Sequence, residues 1–259
     1  MTAFSMKAVS CKIGAQIGLW SVLTGMAFAD GLSPEPIAPQ SDDNPLVVEL
    51  FTSQGCVSCP PADEFFATLV QDPRLLPLSL HVDYWDYIGW QDNFAKAEFT
   101  ERQKRYARAI GSRTIYTPQF IIGGEARVEG FVPEKLAEAT KAGGADAAPL
   151  QQVHLRAERR GENLTIIADA DPPLSEAVRV QLVRYIPSQT VQIERGENAG
   201  KTVTYHNVVT SWTLLGDWRG DEDLHVDVPI MGDEPGAVIV QRIGPAKILA
   251  AALVREAAQ

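Results

Sequence analysis

The sequence predicts an α/β layered domain over residues 46–142, followed by an all-β, antiparallel, sandwich-like domain over residues 150–259. Three observations carry that expectation. In the first half, short apolar runs bounded by turn residues alternate with longer amphipathic runs. In the second half, alternating and continuous apolar runs are separated by turn clusters. Between the halves, residues 143–149 are only Gly, Ala, Asp and Pro, the composition of a linker.

Residues 46–51 form a short apolar run, hence a buried strand. Residues 62–70 have helical periodicity, and Pro73 lies just beyond their end. A second strand covers 76–82. Residues 94–110 form an amphipathic helix with Lys and Arg in its last turns, stopped by Gly111. A strand at 120–122 ends in Gly123-Gly124, and 126–129 can pair back as a hairpin. Pro133 opens a final helix that runs to residue 141. The second half offers seven runs, at 153–157, 164–168, 178–185, 203–209, 224–228, 237–243 and 248–254. The last reads as strand or helix, because its alanines favour helix.

The 259 residues suffice for one or two domains with a sizeable core. Apolar residues at 45% and charged residues at 22% fit a folded chain and exclude disorder as its main state. The formal net charge of -10 argues against nucleic acid or an anionic membrane surface as partner, since both are bound by clustered Lys and Arg. Residues 1–29 read as a secretory signal. Lys7 and Lys12 form a positive start, and an apolar stretch over 13–29 ends in Ala27-Phe28-Ala29, an A-x-A cleavage pattern. A membrane anchor is the alternative; the stretch is at the lower limit for spanning and carries Gln16, Ser21 and Thr24. Residues 30–45, with four prolines, read as an extended linker. A periplasmic or secreted location follows. Cleavage would remove Cys11 and leave Cys56 and Cys59 where disulfides persist.

Gly55-Cys56-Val57-Ser58-Cys59-Pro60-Pro61 stands where the first strand ends and the first helix begins. Unpaired N–H groups and the dipole at a helix N-terminus stabilise a thiolate there. Cys56 precedes the helix and is expected to be the more exposed sulfur and the nucleophile. Cys59 lies at the first turn and would resolve a mixed disulfide. Pro60 and Pro61 fit the first helical positions, where no N–H partner is needed. Asp63 suits the first turn but opposes thiolate formation if it points at the sulfurs. A structural disulfide and half a zinc site are the alternatives. Zinc needs a second ligand pair, and the four histidines are scattered at 81, 154, 206 and 225.

Tyr116-Thr117-Pro118 directly precedes the strand at 120–122. The order strand, C-x-x-C, helix, strand, helix, Thr-Pro, strand, Gly-Gly, helix resembles the thioredoxin superfamily. That resemblance implies a thioredoxin-like first domain, a cis bond before Pro118 facing the cysteine pair, and a Thr117 backbone that pairs with a partner peptide like an added strand. From the residues alone, a trans proline at a strand start is the alternative. More narrowly, 51–56, 60–63 and 81–86, with Gly196-Glu197-Asn198-Ala199-Gly200, resemble a bacterial family of secreted thioredoxin-like proteins of unknown function. This implies fold and export, not a substrate. Val57-Ser58 replaces the Gly-Pro frequent in thioredoxins, no aromatic residue precedes Cys56, and no His lies between the cysteines. The residues therefore set no redox direction.

Tyr84, Trp85, Tyr87 and Trp90 follow the second strand, where they wall a peptide groove or pack as a lid over the sheet edge. Thr117, Pro118, Tyr116 and Trp85 are thus the candidate substrate-binding residues. Glu49 is an acid inside an apolar strand, seven residues before Cys56, where thioredoxins carry a buried acid typically six before. Beneath the cysteines it would accept the proton of Cys59 and join them as a catalytic residue; otherwise it is a strand-end acid reaching solvent. The leading functional expectation is an exported thiol–disulfide oxidoreductase acting on protein or peptide thiols, with a redox partner protein and no dissociable cofactor. The alternatives are a Cu(I) carrier using both thiolates plus His81 or another histidine, or a binding module whose Cys56–Cys59 disulfide is only a staple.

Overall fold

The computed structural model of the protein describes residues 44–143, 152–244 and 246–257. The expected leader over 1–29 and nearly all of the expected linkers at 30–45 and 143–149 lie outside the described residues.

In the first half, β1 (Leu46–Thr52) and β2 (Leu75–His81) run parallel and are joined by α1 (Pro60–Leu69). A short 3-10 turn (Asp86–Ile88) leads to α2 (Ala97–Ala109). A hairpin of β3 (Gln119–Ile122) and β4 (Ala126–Glu129) follows, then α3 (Pro133–Gly143). Gly123 and Gly124 turn that hairpin with φ of 59° and 77°, which a side chain at either position would strain. Among its described residues, the regular elements of the second half are all strands: β5 (Gln152–Arg160), β6 (Asn163–Asp171), β7 (Val178–Gln192), β8 (Thr202–Trp218), β9 (Leu224–Pro229), β10 (Gly236–Arg242), β11 (Ile248–Leu253) and β12 (Arg255–Glu256).

The alanine-rich β11 is a strand, not a helix. Ala251 packs into one core while Ala250 and Ala252 pack into another, so both faces are buried and the ladder to β10 overrides helix propensity.

The two halves share one sheet. Its order is β11-β10-β7-β8-β2-β1-β3-β4, so β8 extends the first half's sheet by pairing parallel to β2 at Ser79–Val208. Asn207 on β8 reinforces the seam by donating to the Pro77 carbonyl (2.9 Å). The smaller sheet, β12-β5-β6-β9, covers the second half's part of the large one over a core that includes Leu155, Leu164, Ile166, Val180 and Val240. The large sheet curls, and Ile248 at the start of β11 donates to the Gly123 carbonyl (2.8 Å) at its other end.

Strand alternation divides β1 between two cores. Val48 and Leu50 pack with Ala62 and Phe66 under α1. Val47 and Phe51 pack with Phe99 and Tyr106 under α2. Glu49 shares the α2 face and is fully buried. Arg102 on α2 meets it through Nε–Oε2 (2.6 Å) and Nη2–Oε1 (3.0 Å), and the Tyr106 hydroxyl donates to Oε1 (2.6 Å). Burial works against the Arg102 charge, yet Glu49 and Tyr106 outweigh it and hold its pKa above the usual value. From the second half, Gln241 donates to the Tyr106 hydroxyl (3.0 Å) and accepts from Arg102 (3.3 Å) and Gln181 (3.3 Å). Gln181 also accepts from the Trp212 indole (3.0 Å), whose ring lies 3.6 Å from the guanidinium carbon of Arg102.

Removing one partner of such a pair strands a buried charge, whereas replacing both with apolar groups does not. Arg102→Met is therefore expected to lower the unfolding free energy by about 3–5 kcal/mol, and Glu49→Leu combined with Arg102→Met to recover most of that loss. Urea midpoints of the two variants and the wild type check this.

Candidate functional site

Cys56 and Cys59 form a disulfide with Cα atoms 5.4 Å apart, in the loop between β1 and α1. Local chemistry dictates the turn. The Cys56 N–H bonds the Ser53 carbonyl (3.1 Å), and the Cys59 N–H bonds the Cys56 carbonyl (3.2 Å). Cys59 is the N-cap of α1, and its carbonyl receives the N–H groups of Ala62 (2.8 Å) and Asp63 (3.1 Å). Pro60 and Pro61 take the first two helical positions, which leave no N–H wanting a partner. Gly55 is confined: a Cβ there would stand 3.2 Å from the Trp85 Cβ and 3.3 Å from its carbonyl oxygen.

The Thr117–Pro118 bond is cis, and the segment lies against the cysteine loop. Ser58 links the two, with its hydroxyl 3.4 Å from Cys56 Sγ and donating to the Thr117 carbonyl (3.3 Å). The Trp85 indole donates to Thr117 Oγ1 (2.7 Å). Thr117, Pro118 and Trp85 thus gather around the disulfide. Tyr116 is tied elsewhere: its carbonyl accepts from Gln103 (2.8 Å) and its hydroxyl from Gln119 (2.9 Å). Burial pushes the Tyr116 phenol up to about 12, so it is neutral at physiological pH.

The expected difference in access between the cysteines is absent. Cys56 is 1% exposed and Cys59 0%, while Val57 beside them is 61% exposed. The second half meets this loop. The tip of the β7–β8 hairpin reaches the cysteine loop, and Asn198, itself buried, donates to the carbonyls of Gln54 (2.9 Å) and Cys56 (2.8 Å). Lys201 holds the Asn198 side-chain oxygen (2.8 Å), and a Cβ on Gly196 would stand 3.2 Å from the Trp90 Cβ. Asn198 belongs to the Gly-Glu-Asn-Ala-Gly turn, a sequence signal that gives no hint of where the turn docks.

Glu49 does not lie beneath the cysteines, and it does not reach solvent. Alternation along β1 puts it on the α2 face with Val47 and Phe51, where Arg102 consumes it. The acid on the α1 face is Asp63, 4% exposed, whose Oδ1 accepts from the Thr52 hydroxyl (2.8 Å). Burial, only partly offset by the charge of His81 and the bond from Thr52, pushes its pKa up to about 7. His81, in register with Thr52 on β2, is fully buried, and its Nδ1 is 2.7 Å from Asp92 Oδ2. Burial opposes the Asp92 charge, but His81 and the N–H groups of Gln54 (2.8 Å) and Phe94 (2.9 Å) outweigh it and hold that carboxyl below its usual range. Asp63 was visible as a first-turn acid; Asp92 carried no signal, because only the loop's path brings it to His81. Among the described residues, no three His, Cys, Asp or Glu side chains gather as a metal-binding group.

Two outcomes follow. Asn198→Ala removes two hydrogen bonds worth about 1 kcal/mol each, so reduction of the disulfide by dithiothreitol is expected to speed up by about tenfold or more. Stopped-flow reduction checks it. Asp63 binds its proton more tightly in the folded chain, so its contribution to stability is complete below about pH 4 and is lost as pH rises through about 7. The unfolding free energy of the wild type, from urea titrations, is expected to fall across that window by up to about 1.4 kcal/mol per pH unit, and that of Asp63→Asn to lack this fall.

The chain matches no curated protein. Among solved structures, it is similar to a crystal structure of a protein from Agrobacterium tumefaciens, at 33% identity and a TM-score of 0.69, over 80% of this chain and 92% of that one. It is also similar in fold to HBP35 of Porphyromonas gingivalis, at 14% identity and a TM-score of 0.59, over 80% of this chain and 74% of that one. Residues 47–241 match the family described as "Protein of unknown function (DUF1223)", and that span takes in the cysteine loop, the Thr-Pro segment and the covering hairpin. The protein is a member of the DUF1223 family.

Proposed function

We propose that the protein is an exported thiol–disulfide oxidoreductase with a thioredoxin-like first half, acting on protein or peptide thiols through Cys56 and Cys59. The observation that carries this reading is the meeting of the Cys56–Cys59 loop, at a helix N-terminus, with the Thr117–Pro118 segment through Ser58. The order β1, α1, β2, α2, β3, β4, α3 supports the same reading.

In the reducing direction, the Cys56 thiolate attacks one sulfur of a partner disulfide. That S–S bond breaks, the partner's other sulfur leaves as a thiolate, and the attacked sulfur stays bound to Cys56 as a mixed disulfide. The Cys59 thiolate then attacks Cys56 Sγ, the mixed disulfide breaks, and the partner's second sulfur leaves reduced. The reverse sequence oxidises a dithiol partner. A second protein thiol or disulfide resets the pair in either case. An oxidising compartment suits the resting disulfide.

The burial of both cysteines favours a second reading, in which the disulfide is a staple. One experiment separates them. Cys59→Ala is expected to accumulate mixed disulfides with exported proteins, since nothing remains to resolve them, and Cys56→Ala to accumulate few. Both variants are expected to stay folded, because so short a loop adds little stability. Non-reducing gels with partner identification, beside an insulin-reduction assay, read the result. If Cys59→Ala traps nothing and reduction of the wild type unfolds it, the staple reading replaces this one.

A further inference from the structure

Four buried side-chain nitrogen or oxygen atoms among the described residues lack a hydrogen-bond partner, and three of them lie in one cluster beneath the cysteine loop: Gln54 Nε2, Asp63 Oδ2 and His81 Nε2. Orphaned buried groups cost stability and call for an explanation, a catalytic role being one. These three are held, not loose. The Trp90 indole donates to Gln54 Oε1 (2.7 Å), the Gln54 N–H bonds the same Asp92 oxygen that His81 Nδ1 meets, and Thr52 fixes the other oxygen of Asp63. Each side chain is oriented by one atom and leaves the other uncommitted.

Asp63 follows Cys59 by four residues, one helical turn on, so the two share the inward face of α1. Both cysteines are buried, and Cys59 is the one that shares this face of the helix with Asp63. Around Asp63 stand Thr52 from β1, His81 from β2, Asp92 from the loop before α2, and Tyr205 from β8, whose ring is 4.8 Å from that of His81. Burial, with Asp63 and Asp92 nearby, raises the Tyr205 phenol and keeps it neutral. Asp92 is a carboxylate, so His81 Nδ1 donates to it, and Nε2 is left without a hydrogen-bond partner.

From this arrangement we infer that Asp63 is the proton acceptor for Cys59, with His81 and Asp92 as the positioning pair behind it. The inference rests on the thiol–disulfide reading above. When the mixed disulfide closes, the Cys59 thiol gives its proton to the Asp63 carboxylate, and the thiolate attacks Cys56 Sγ. The partner leaves as a thiolate, and the proton stays on Asp63. On reduction of the pair, Asp63 returns the proton to the Cys59 sulfur. A carboxyl whose pKa burial has moved to about 7 suits exchange in both directions at neutral pH.

Reduced full-length protein mixed with dithiobis(nitrobenzoate) separates the two steps. Attack by Cys56 releases the first nitrothiophenolate, and closure by Cys59 releases the second. Asp63→Asn is expected to leave the first phase unchanged, to slow the second by about 100-fold, and to abolish its rise through about pH 7. Asp63→Glu is expected to restore part of that second phase, and His81→Gln to shift its pH midpoint. If Asp63→Asn does not fold, Thr52→Val serves: losing the bond to Asp63 is expected to move the midpoint of closure upward. Equal closure rates and pH profiles in wild type and folded Asp63→Asn, or an unmoved midpoint in Thr52→Val, overturn the inference and leave the redox reading standing. A wild type that releases no second equivalent at any pH overturns that reading, and this inference with it.

Discussion

The buried ion pair between Glu49 and Arg102 is the joint on which the arrangement of the two halves depends. It ties α2 to the central strand of the first half. Through Gln241, Gln181 and Trp212 it then ties both to β7, β8 and β10 of the second. All these groups find partners, and that satisfaction is what lets a charge pair stand in a core. Its mechanical effect is felt at a distance. Gln181 and Trp212 sit in the body of the β7–β8 hairpin, so fixing them sets the direction of a long two-stranded arm. The tip of that arm is where Asn198 meets the carbonyls of Gln54 and Cys56.

Local chemistry was legible in the sequence; pairing at a distance was not. Pro60, Pro61 and the C-x-x-C spacing read out a strand-to-helix loop because each acts on its own backbone neighbours. The Gly123-Gly124 turn and the strands of the second half were readable for the same reason. Nothing in the pattern of β8 could reveal that it lies beside β2, since an apolar strand carries no label for its neighbour. Glu49 illustrates a finer limit. A step of one residue along a strand reverses the face, so an acid at position 49 and an acid at position 50 belong to different cores. The run of apolar residues around it gave no means of telling which face held the cysteines.

Asn198 and Asp92 were illegible for a shared physical reason. Each acts through one side chain carried on a turn or loop, and each reaches a backbone or a histidine far away in sequence. Asp63 is intermediate: its place one turn after Cys59 was readable, but its burial required knowing that Thr52 and His81 line the sheet beneath α1.

The contrast between the two buried charged clusters is the strongest structural argument about where chemistry resides. Under α2, every group of the Glu49–Arg102 cluster is partnered, and the result is a rigid seam. Under α1, Gln54, Asp63 and His81 are each left with one orphaned atom, at a cost of about 1–3 kcal/mol apiece. The fold thus satisfies one polar cluster completely and leaves another incomplete beneath its disulfide, and incomplete clusters of that kind are where a site is to be sought. The covering hairpin fits the same logic. Asn198 holds the backbone on either side of Gly55, and Gly55 itself is confined by Trp85, so the loop that carries the buried pair is fixed by both halves of the chain.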